Sequence, residues 1–72
     1  MRIVEITCEP VELYKILKFE GLVASGGEAK TAISLGHVRV NGHIETQKRK
    51  KIVSGDILQF EDEKFRVQLQ QD

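Results

Sequence analysis

Along the chain, apolar positions keep one period, change to a second, and return to the first. Arg2-Ile3-Val4-Glu5-Ile6-Thr7 is rich in β-branched side chains and predicts a short opening strand. Pro10 suits the first turn of a helix, where its missing N–H costs nothing. Leu13, Ile16 and Leu17 then fall at helical spacing, with Lys15 and Lys18 off the stripe and Gly21 placed to stop the helix. This predicts a first helix over about residues 10–20. Ser25-Gly26-Gly27-Glu28 has capping-box spacing, with Ser25 as N-cap and Glu28 reaching back. Ala29, Ala32 and Ile33 give a narrow apolar face before Gly36, so a second helix is predicted over about 26–35, packed closely on the first.

After Gly36 the period falls to two. Val38 and Val40 alternate with His37 and Arg39, and Asn41-Gly42 is a tight-turn signal before Ile44. Gln47–Lys51 is too polar for a buried strand and reads as an exposed loop or edge. Ile52 and Val53 are expected to return to the core, Ser54-Gly55-Asp56 to turn, and Ile57, Leu58 and Phe60 to form a strand. Glu61-Asp62-Glu63 turns again before Phe65, Val67 and Leu69 alternate in a last strand. The fold class is α+β: two short helices packed on a small, mostly antiparallel sheet. Tyr14, Phe19, Phe60 and Phe65 are core candidates.

Composition narrows what such a fold can be for. Seventy-two residues suit a single small domain over 1–72, and 40% apolar with 31% charged residues is globular rather than disordered composition. A core this small seldom supports a deep substrate cavity as well, which weighs against an enzyme. The longest apolar stretches, such as Leu22-Val23-Ala24, are far too short to span a membrane, and Glu5 sits where a secretory signal would be apolar. With Cys8 the only cysteine, no internal disulfide is available, and Cys8 reads as a small core or surface thiol. A soluble cytoplasmic protein is expected.

The formal net charge of zero conceals an asymmetry. Lys30, Arg39, Lys48, Arg49, Lys50 and Lys51 face Glu45 alone, a net +5 over residues 30–51, against −2 before this block and −3 after it. At physiological salt the screening length is about 8 Å, so a docking polyanion feels the patch rather than the molecular sum. Such a block is a plausible electrostatic footprint, or simply a solvated face.

Together these residues resemble a known family. Leu13, Leu17, Gly21, Ser25, Ala29, Ile33, the run Gly36-x-Val38-x-Val40-Asn41-Gly42, and Val53-x-Gly55-Asp56 follow the spacing of the ribosomal-protein S-four-type RNA-binding domain, with its alpha-L motif, over about residues 11–60. Many members append this domain to a catalytic one. This chain looks more like the small stand-alone bacterial members, in which Gly26-Gly27-x-Ala29-Lys30 and Glu45-Thr46-x-Lys48-Arg49 have close counterparts. The resemblance implies a non-catalytic, ribosome-associated protein that binds structured RNA, chiefly ribosomal RNA, with a role in ribosome assembly and ribosomal proteins as possible neighbours. Many larger relatives carry Arg directly after the helix-two cap, at a phosphate-binding position. Here Gly26 stands there, and either Lys30 one turn later compensates or that contact is lacking and binding is weaker.

The candidate RNA-binding residues are Ser25, Gly26, Gly27, Lys30, Arg39, Lys48, Arg49, Lys50 and Lys51. A helix N-terminus left open by two glycines offers free N–H donors to a phosphate, although the glycines could equally serve the turn alone. Lys30 should lie on the exposed side of helix two, and Arg39 on the strand face opposite Val38 and Val40. The four adjacent cations repel one another, with no acidic partner in adjacent sequence. Arg49 can grip a phosphate with two donors while the lysines act as point charges. No aromatic is interleaved among them, which favours folded RNA over single strands. His37 and His43 lack the companions of a metal site, and no cofactor, metal or membrane partner is expected. The competing expectation is an interaction adaptor whose basic block meets an acidic protein.

Overall fold

The computed structural model of the chain describes residues 1–70, and Asp72, counted above with the acidic end, lies outside them. Strand β1 (Arg2–Ile6) is followed by a two-residue strand β2 (Val11–Glu12), helix α1 (Leu13–Phe19) and helix α2 (Gly26–Ser34). Five strands complete the chain: β3 (Val38–Val40), β4 (His43–Ile44), β5 (Lys51–Ile52), β6 (Ile57–Phe60) and β7 (Glu63–Leu69). The main sheet runs β1-β7-β6-β3-β4, and β2 pairs with β5 in a separate antiparallel ladder. All neighbours in the main sheet are antiparallel except β1 and β7, which run parallel with Val4 opposite Val67 and Ile6 opposite Leu69. A parallel pair needs a long connection, and the helices and intervening strands supply it.

Side-chain alternation then makes one face of the sheet apolar. Val4, Ile6, Val38, Val40, Leu58, Phe60, Phe65 and Val67 join Leu13, Ile16, Leu17, Ala29 and Ile33 of the helices, and Ile52, in one buried cluster. The two helices therefore cover one side of the sheet, as their apolar stripes demand. The alanine at position 29 is fully buried and lets α2 come close to its neighbours. Ser25 caps α2 by accepting from the Glu28 N–H at 3.2 Å. The return arm of the expected capping box is not formed among the described residues. Both helices end in the same way. Gly21 N–H donates to Lys18 and Leu22 N–H to Leu17, while Gly36 N–H donates to Ile33 and His37 N–H to Ala32. This is the paired C-terminal bonding that a left-handed glycine makes possible, with φ of 71° at Gly21 and 81° at Gly36.

Three expectations require correction. The first helix does not begin at Pro10, because Val11 and Glu12 are extended and pair with Ile52 and Lys51. The first amides of α1 instead donate to the polar segment: Leu13 N–H to the Lys50 carbonyl at 2.9 Å and Tyr14 N–H to the Lys48 carbonyl at 3.1 Å. A tertiary contact, not the proline, sets the helix start. Phe19 is not a core residue. It lies 70% exposed at the end of α1, off the Leu13-Ile16-Leu17 stripe. Val53 also misses the core, at 42% exposed, because the chain leaves β5 after Ile52 to turn.

That turn is held by a side-chain clamp. Asn41 and Gly42 both have positive φ, 52° and 85°, as the hairpin between β3 and β4 requires. The Asn41 amide oxygen also accepts from Ile57 N–H at 2.9 Å, and its nitrogen donates to Asp56 at 3.1 Å. The second oxygen of Asp56 accepts from Val53 N–H at 3.0 Å. Two turns that are distant in sequence are thus fastened together. No helix among the described residues is long and apolar enough to cross a membrane.

The clamp has a measurable consequence. Asn41→Ala should lower stability to urea by about 2 kcal/mol and Asp56→Ala by about 1–2 kcal/mol. The double variant should lose less than the sum, because the two residues share a bond. Strict additivity would contradict the clamp.

Candidate nucleic-acid interface

Tyr14 is where the separate cationic features meet. Its backbone N–H holds the Lys48 carbonyl, so the polar segment is seated on the N-terminus of α1. On its ring, the Lys30 ammonium of α2 lies 4.7 Å from the centroid, and that of Lys15 lies 6.0 Å away. A β-carbon at Gly26 would sit 3.8 and 3.9 Å from Tyr14 ring carbons and 4.0 Å from Lys18 Cδ. The first turn of α2, Lys30 and the segment from Lys48 therefore gather around one residue of α1. Lys30 is half-buried rather than fully exposed, since it reaches across the aromatic ring.

The open end of α2 follows from its sequence. Ser25 satisfies the Glu28 amide through its hydroxyl and the Ala29 amide through its carbonyl. The N–H groups of Gly26 and Gly27 have no partner among the described residues. Gly26 is half-buried against Tyr14 and Lys18, whereas Gly27 is exposed and a β-carbon there would meet only Ser25 Oγ, at 3.9 Å. Packing does not require glycine at either position. What the glycines leave is accessible backbone at the positive end of a nine-residue helix.

Lys48, Arg49, Lys50 and Lys51 are all exposed. Their carbonyls at 48 and 50 turn toward α1, and a bond from Lys50 N–H to the Gln47 carbonyl at 3.2 Å tightens the loop. Glu45 steadies its start by accepting from Gln47 N–H at 3.1 Å. One carboxylate does approach this block: Glu12 lies 3.8 Å from Arg49 Nε and 3.3 Å from Lys15 Nζ. Adjacent sequence supplies no acidic partner, and Glu12 instead comes in from β2. It serves two cations at once and leaves the patch positive. Lys48, Lys50 and Lys51 form no ion pair among the described residues.

Sequence reasoning left Tyr14, Lys15 and Lys18 out of the site. The two lysines carried a signal, since they sit off the apolar stripe, and Lys18 lies beside the α2 terminus. Tyr14 carried none, because an aromatic next to a stripe reads as core. Arg39 stands apart from this gathering. It lies on the outer face of the sheet, with the core between it and the helices, and donates to the Gly42 carbonyl at 3.3 Å. His37 and His43 are exposed, and no group of three His, Cys, Asp or Glu side chains suited to a metal occurs among the described residues.

Comparison with known proteins places this arrangement in a family. The protein YbcJ of Escherichia coli strain K12, provisionally named an RNA-binding protein, is 52% identical over 50 residues, covering 69% of this chain and 71% of YbcJ. An uncharacterized YbcJ from Shigella flexneri matches equally well. The solution structure of Escherichia coli YbcJ, described as revealing an alpha-L motif involved in RNA binding, superposes with a TM-score of 0.72 at 42% identity. That likeness covers 94% of this chain and 87% of YbcJ. The family model of the S4 domain matches residues 4–68, and the chain belongs to that family.

Proposed function

We propose that this chain is a non-catalytic RNA-binding protein that holds structured RNA by its phosphates, on the face shared by α1, the N-terminus of α2 and the Lys48–Lys51 loop. The observation that supports this reading most is the convergence on Tyr14 of the cationic loop and a helix end whose first two amides have no partner among the described residues. Phosphates are bound by donors at fixed positions, and little else is needed. Gly26 and Gly27 would donate backbone N–H groups to one phosphate, with Ser25 fixing the turn that presents them. Lys30, Lys48, Lys50 and Lys51 would supply point charges, and Arg49 a paired donor. Lys15 and Lys18 extend the same surface, whereas Arg39 lies outside it.

Folded RNA suits this surface better than single strands. The A-form helix exposes its backbone while its deep groove excludes side chains, so a rigid cationic plate reads shape. Tyr14, at the centre of the site, has its ring occupied by Lys30 rather than free for a base. Ribosomal RNA as the target, a place in ribosome assembly and a cytoplasmic location extend the family resemblance. The names given to YbcJ support the RNA part of the reading.

If about six phosphates are engaged, log affinity for a duplex or hairpin RNA should fall against log salt with a slope near −4 to −5. Replacing Lys48, Arg49, Lys50 and Lys51 together with glutamine should weaken many RNAs alike and make that slope shallower by about 3, with the circular dichroism unchanged. A flat salt dependence in the unaltered protein would contradict the proposal. Gly26→Arg restores the residue of the larger relatives where space allows it, and should tighten RNA binding by about three- to tenfold. Unchanged or weaker binding would show that the bare amides there are themselves the contact.

A further inference from the structure

The outer face of the main sheet carries a second pattern, unrelated to the helices. Cross-strand register lines up Ile3, Arg66 and Ile57 in one row and Lys64, Gln59, Arg39 and Ile44 in the next. Ile3 is 54% and Ile44 58% exposed, and Arg39, Lys64 and Arg66 are all exposed. Among the described residues the Arg39 side chain bonds only the Gly42 carbonyl, and Lys64 and Arg66 have no ion pair. Among the described residues Glu5 is the one acid on the strands of this face, beside Gln68. With strands about 4.8 Å apart, the edge strands lie about 19 Å from each other, so the face accommodates one short segment rather than a domain.

We infer that this face docks a short acidic segment of another protein that carries apolar side chains among its carboxylates. Two features select that occupant. Three cations against one carboxylate ask for an anionic partner, and opposite charges directly across an interface fix its register. The isoleucines beside those cations have nothing to gain from a phosphate backbone, but bury against aliphatic or aromatic side chains at about 25 cal/mol per Å². An RNA backbone satisfies the first feature alone. The surface is independent of the proposed RNA face, since the whole core separates them. It also gives Arg39 a place among neighbours of its own kind.

The test uses the full chain and a fluorescein-labelled peptide of alternating Glu and Leu or Phe residues, read by anisotropy at physiological salt. The peptide should bind, and polyglutamate of equal length should bind at least about tenfold more weakly. Ile44→Ser on β4, and separately Lys64→Gln with Arg66→Gln on β7, should each weaken the peptide about five- to tenfold while the circular dichroism is kept. Glutamine at Lys48–Lys51 should leave peptide binding within about twofold. No peptide binding at millimolar concentration, equal binding of polyglutamate, or loss of peptide through the Lys48–Lys51 variant would each overturn the inference. So would a β7 variant that loses RNA and keeps the peptide, which would make this a nucleic-acid surface. A parallel titration with duplex RNA reports on the RNA reading alone, so the two can fail separately.

Discussion

Two backbone hydrogen bonds, from Leu13 N–H to the Lys50 carbonyl and from Tyr14 N–H to the Lys48 carbonyl, hold the cationic segment in place. Four consecutive cations repel one another and would leave an untethered loop spread through solvent. The α1 terminus has amides that need acceptors, and the loop has carbonyls to offer. The short ladder of β2 with β5 brings the two within reach. Turning the carbonyls toward α1 commits the loop backbone to the protein, while the side chains remain exposed. Glu12, at the junction of β2 and α1, eases the charge at Arg49 and Lys15 without closing the face. Remove that seating and the cations lose their fixed relation to the end of α2.

The remaining structure supports that placement. The buried stripe of α1 fixes which way Tyr14 faces, and the close approach allowed by Ala29 brings the first turn of α2 against it. The clamp of Asn41 on Asp56 and Ile57 fastens the hairpin that precedes the loop to the turn that follows it. The segment from Glu45 to Ile52 is therefore fixed at both flanks and seated in its middle. A phosphate-binding surface gains affinity from such order, because its charges need not be arranged when the ligand arrives.

Much of this was legible in the sequence, where local chemistry decides. The Ser25 cap, the glycine stops, the Asn41-Gly42 turn and the alternation in β3, β6 and β7 each depend on a few neighbouring residues, and they formed as read. What the sequence hid was non-local. The start of α1 depends on carbonyls some 35 residues away, and Glu12 meets Arg49 across a similar separation, so no window around Pro10 could show either. The parallel pairing of β1 with β7 joins the two ends of the described chain. Phe19 and Val53 were misplaced for a simpler reason: an apolar residue at the edge of a stripe belongs to the core only if another element comes to cover it. The same alternation that buried Val38 and Val40 put Arg39 on the far side of the sheet, away from the other candidate residues.

A single titration tests most directly whether α2's open end and the loop form one docking face. The ¹⁵N-labelled protein is titrated with a short RNA duplex, and the amide shifts of Gly26, Gly27, Lys30 and residues 48–51 are followed together. One common isotherm for all of them, with the amides of Ile3, Gln59 and Arg66 unmoved, is the expected result. Separate affinities for the helix end and the loop, or shifts centred on the outer sheet, would contradict a single shared face.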